Sequence, residues 1–69
     1  MRKFTAKWKA ALASEIAEGH DPTAAASEAN RKHPGLRHAM LAEVNHGKSD
    51  RAAQFHREQA AAAGITFSD

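Results

Sequence analysis

Alanine fills 17 of the 69 positions, and only twelve residues are both large and apolar. This ratio, more than any motif, limits what the chain can fold into. Alanine favours helix over strand, tyrosine is absent, and the β-branched aliphatics are only Ile16, Val44 and Ile65. No stretch sustains the alternation of a half-buried strand. The twelve large residues are Met1, Phe4, Trp8, Leu12, Ile16, Leu36, Met40, Leu41, Val44, Phe55, Ile65 and Phe67. They furnish one small core, so the 42% hydrophobic content overstates the material available for burial. A chain this lightly provisioned is expected to gain stability from a partner or a second copy of itself.

Glycine and proline punctuate the sequence clearly. Gly19 ends one periodic segment, and Asp21-Pro22 then supplies an N-cap and a proline for the first helical position. His33-Pro34 breaks the chain again, because a residue before proline avoids the helical region. Gly47 closes the next segment, Ser49 and Asp50 cap another, and Gly64 ends it. The layouts around Gly19 and Gly47 match each other, which reflects capping chemistry and not duplication. Helices are expected over about 4–18, 22–32, 34–46 and 50–63, forming one all-α domain across residues 1–69. The architecture is a three- to four-helix small bundle. Its tail, 64–69, either stays loose or docks through Ile65 and Phe67.

In the first helix Phe4, Trp8, Leu12 and Ile16 fall within an arc of about 120°, opposite Lys3, Lys7, Ser14 and Glu18. The third helix places Leu36, Met40, Leu41 and Val44 within about 140°. These two faces are expected to meet. The alanine-rich second helix then fills the gap, while the fourth docks through Phe55 or projects.

Several function classes find no support. Without cysteine there is neither a disulfide framework nor a thiolate site, and a reducing, cytoplasmic location is expected. Lys7 and Lys9 interrupt any apolar signal-peptide core, and no segment is long enough to span a bilayer. The serines sit in helices or caps, and there is no phosphate-binding glycine loop. No catalytic residue, cofactor or small-molecule substrate is expected. Five histidines invite a metal reading, but no two stand three or four apart, so any metal site would need ligands from different helices. None is expected.

Two basic clusters remain. Arg2, Lys3, Lys7 and Lys9 surround Phe4 and Trp8, with no acidic residue before Glu15. Cations at a helix start oppose the macrodipole, which suggests contact with phosphate or, more weakly, with an anionic membrane surface. Arg31, Lys32, His33, Arg37 and His38 crowd the central turn, where helix two, turn and helix three invite a helix-turn-helix comparison. Against that, the third helix must supply core, and Glu43 on its outer face repels phosphate. The basic residues also read simply as the solvated rim of a small core.

The segment Ile16-Ala-Glu-Gly19-His-Asp-Pro-Thr-Ala24, then His33-Pro34-Gly35-Leu36, then Met40-Leu41-Ala42-Glu43-Val44-Asn45 resembles a helical hairpin of phage structural proteins. That hairpin recurs in head-maturation proteases, scaffolds and small prophage proteins. It usually carries an acidic residue after the proline, where this chain has Gly35. The resemblance implies an accessory protein of a phage or prophage that self-associates or binds a host or virion protein. The expected function is therefore non-enzymatic protein–protein interaction, with Phe4, Trp8, Phe55, Ile65 and Phe67 as contact candidates. The alternative is a small DNA- or RNA-binding protein using Arg2, Lys3, Lys7, Lys9, Arg31, Lys32 and Arg37.

Overall fold

The computed structural model describes residues 2–67. Four helices make up the fold: α1 (Lys3–Ala17), α2 (Pro22–Lys32), α3 (Leu36–Asn45) and α4 (Asp50–Ala62). There is no strand among the described residues, so the chain is a small all-α bundle. The expected caps operate. Asp21 accepts a hydrogen bond from the Ala24 amide at 2.8 Å with Pro22 following it, and Ser49 accepts from the Ala52 amide at 3.3 Å. The third helix starts at Leu36 and not at residue 34, because Gly35 takes a left-handed conformation (φ 83°) that ends the turn. A Cβ on Gly35 would lie 2.8 Å from the Ala63 Cβ, so this glycine also lets the turn press against the end of α4.

The main packing runs in a row: α2 lies on α1, α1 on α3, and α3 on α4. The outer helices α2 and α4 each keep one face free. Between the helices sits a cluster of Phe4, Trp8, Ala29, Leu36, Ala39 and Ala60. Leu12, Met40, Ile65 and Phe67 pack against it from partly exposed positions. The tail thus docks as far as Phe67, whose ring meets Phe4 edge-on at 5.3 Å; residues 68–69 lie outside the described residues.

The expectation that Ile16 faces the core is corrected. Ile16 is 51% exposed, and Glu15 beside it is only 4% exposed. The reason is helical drift: four-residue steps advance the facing direction by about 40° each, so Ile16 has turned about 120° from Phe4. Glu15, eleven residues on from Phe4, returns to within about 20° of it. The buried carboxylate accepts a hydrogen bond from the Lys32 ammonium at 2.8 Å and so ties α1 to the end of α2. Its other oxygen has no hydrogen-bond partner and lies 3.5 Å from His20 Nε2.

In α3 the deeply buried row is Leu36, Ala39 and Ala42, while Leu41 and Val44 are only half-buried. A helix sandwiched between two neighbours must approach both closely, and alanine permits that. The same logic explains α4, which meets α3 through buried Ala60 and half-buried Ala52, Ala53 and His56. Phe55 stays 53% exposed and reaches α3 only at the edge of His38.

Glu43 also departs from expectation. It does not stand on an outer face: half-buried, it reaches the start of α1 and accepts from the Phe4 amide at 3.0 Å, the Thr5 amide at 2.8 Å and the Thr5 hydroxyl at 3.0 Å. Arg2, at the N-cap position, offers no side-chain cap. The carboxylate therefore satisfies two free amides of α1 and offsets the lysines that oppose its dipole.

Candidate interaction surface

The outer face of α4 carries an exposed stripe. Arg51, Phe55, Glu58 and Ala62 follow at steps of four, three and four residues, within an arc of about 60°. All four are exposed, and Phe55 leaves 53% of its surface to solvent. Ala60, the buried anchor of the helix, points about 170° away from the stripe's centre. Neither Arg51 nor Glu58 forms an ion pair with a described residue.

Beside the stripe, two histidines bridge the α3–α4 seam. His38 Nδ1 and His56 Nδ1 are 3.0 Å apart. Their ring centroids are 5.2 Å apart with planes 29° from parallel. The centroid separation exceeds the N···N distance by about two ring radii, so the rings meet edge to edge with the nitrogens leading. One nitrogen donates and the other accepts, an arrangement possible with zero or one proton in excess but not with two. Phe55 sets its ring edge-on to both, at 6.4 Å from His38 and 5.2 Å from His56. No group of three metal-ligating side chains exists among the described residues.

Burial, followed by the neighbouring His38 and Arg37 charges, holds the His56 imidazole below its usual range. A histidine lowered in the folded state stabilises the fold above about pH 6.5 and loses that contribution as pH falls through its own lower value. The melting temperature is therefore expected to drop between pH 7 and pH 5, and His56→Gln should flatten that slope. An unchanged slope in the variant would remove His56 as its source.

The basic residues divide into two sets. At the central turn Arg31 pairs with Glu28 at 2.7 Å, and Lys32 with Glu15. The Arg31 hydrogen bond lowers the Glu28 carboxyl, and the hydrogen bond to Glu15 raises the Lys32 ammonium. These cations are engaged inside the chain, which leaves Arg37 as the exposed unpaired cation of that turn among the described residues. Along the start of α1, Arg2, Lys3, Lys7 and Lys9 are exposed and pair with no described acid. Lys3 and Lys7 stand 5.0 and 5.7 Å from the Phe4 ring centre. Arg57 stacks 4.5 Å from the centre of Phe67, a contact sequence reading missed because it depends on the tail folding back.

Of the apolar contact candidates, Phe4 and Trp8 are each 6% exposed and belong to the core. Ile65 and Phe67 are half-buried against it. Phe55 alone among them remains available as a large exposed anchor. Among the described residues no helix is long and apolar enough to cross a membrane. No protein-family model, curated protein or solved structure matches the chain.

Proposed function

We propose that this chain is a non-enzymatic interaction module that self-associates through the outer face of α4. The observation that carries this reading is Phe55, an aromatic left 53% exposed where, among the described residues, Phe4, Trp8 and Leu36 are the only large apolar side chains buried. A protein short of core material gains by sheltering such a ring against another surface. The phage-assembly setting rests on the sequence resemblance over residues 16–45, and a cytoplasmic location on the lack of cysteine.

Nucleic-acid binding ranks second. It retains Arg2, Lys3, Lys7, Lys9 and Arg37, gains Arg57, and loses Arg31 and Lys32 to internal pairs. Lys7→Glu with Lys9→Glu would abolish a low-salt gel shift while leaving an apolar interface intact.

The deciding measurement is light scattering across a concentration series. The wild-type mass is expected to rise with concentration toward that of a dimer, while Phe55→Glu stays monomeric with unchanged helicity. A wild-type chain that is monomeric at every concentration would end the self-association reading.

A further inference from the structure

We propose that the second copy lays its α4 antiparallel on this α4 about a twofold axis beside Phe55, each chain's Arg51 meeting Glu58 of the partner subunit. The proposal rests on the self-association reading and specifies its surface and register.

The stripe is self-complementary in that orientation alone. Arg51 and Glu58 are seven residues apart, about 10.5 Å along the helix, too far to pair with each other. Their neighbours one turn away along α4 are Gln54, Phe55, Ala61 and Ala62, none of which bears charge. Each charge therefore lacks an intrahelical partner. Turning a second α4 antiparallel about the midpoint between residues 54 and 55 brings opposite charges together at both ends of the contact. A parallel second helix would instead set Arg51 on Arg51 and Glu58 on Glu58. The same midpoint lies within about 0.8 Å of Phe55 along the helix, so the two rings meet at the axis.

The surroundings agree. Steps of four, three and four residues are those of a helix-pairing seam, and Gln54 and Gln59 flank the stripe as an uncharged polar rim. Such a twofold contact is isologous and closes after two copies, giving a dimer and not a filament. Two 13-residue helices bury less than the roughly 800 Å² per partner of a standard interface, so association is weak and salt-sensitive.

The test is a charge exchange read by sedimentation velocity at low salt. Arg51→Glu and Glu58→Arg each place like charges at both ends of the dimer, and each is expected to weaken association by about tenfold. Mixing the two variants restores opposite charges at both ends, so the mixture should associate within about threefold of wild type. The doubly exchanged chain, R51E with E58R, should recover in the same way. Both positions are exposed, and circular dichroism checks that helicity is kept.

Single variants that associate like wild type, while Phe55→Glu is monomeric, would overturn this register and leave self-association standing. Single variants that lose association without rescue in the mixture or the double exchange would overturn it equally. A monomeric wild type would overturn both readings.

Discussion

Replacing Trp8 with alanine is expected to unfold most of the chain at 25 °C. Trp8 is 6% exposed and shares the central cluster with Phe4, Leu36 and the alanines at 29, 39 and 60. Truncating a buried aromatic to alanine costs about 3–5 kcal/mol, and a single core in so short a chain rarely supplies more than about 3–5 kcal/mol in total. The alanines at 29, 39 and 60 in the same cluster have no side-chain length to swing into the hole. Helical ellipticity at 222 nm should fall by more than half, whereas Trp8→Phe should keep most of it. The comparison must be made at one protein concentration, since self-association adds to apparent stability. A Trp8→Ala chain melting cooperatively within a few degrees of wild type would show that the core is elsewhere.

How much of this was readable beforehand depended on the range of the interaction. Helix ends depend on residues three or four apart, so Asp21-Pro22 and Ser49 announced their caps in the sequence. Burial depends on the neighbours a helix meets. Four large residues at steps of four looked like one face of α1, yet the drift of that row turned Ile16 outward and brought Glu15 in. Glu15 is tolerated there because Lys32, 17 residues later, reaches its carboxylate. In α3 the large residues drew attention while the alanines at 39 and 42 carried the contacts, since close helix approach selects for small side chains.

The surface followed the same division. The stripe on α4 is local, and its spacing was visible in the sequence, but its freedom from the core was not. The sequence offers Phe55 as an anchor for α4, but buried Ala60 occupies that role. The turn cations looked free because their acceptors Glu28 and Glu15 become neighbours only through helix geometry and packing. The His38–His56 contact joins residues 18 apart on two helices, beyond the reach of any spacing rule.

The interaction least legible of all is the one expected to matter most after Trp8. Glu43→Ala is expected to cost about 2 kcal/mol, and Glu43→Gln about half of that. The carboxylate accepts from the backbone amides of Phe4 and Thr5, groups 39 and 38 residues away in sequence. Those amides have no alternative acceptor in α1, because the N-cap position is Arg2. Removing Glu43 leaves two amides unpaired at a partly buried helix end and exposes the dipole to Lys3 and Lys7 without an opposing charge. Glutamine keeps one acceptor oxygen but sets its NH2 where the second oxygen accepted, so the gap between the two variants reports the one acceptor that Gln retains. The loss should be local first: the amides of the first turn of α1 should exchange faster, followed by loosening of the Phe4–Phe67 contact. Thr5→Ala, which removes only the hydroxyl bond to the same carboxylate, should cost less and should be non-additive with Glu43→Ala. If urea melts place Glu43→Ala within about 0.5 kcal/mol of wild type, water is capping α1 as well as the carboxylate does, and the bond between α3 and the start of α1 carries no net stability.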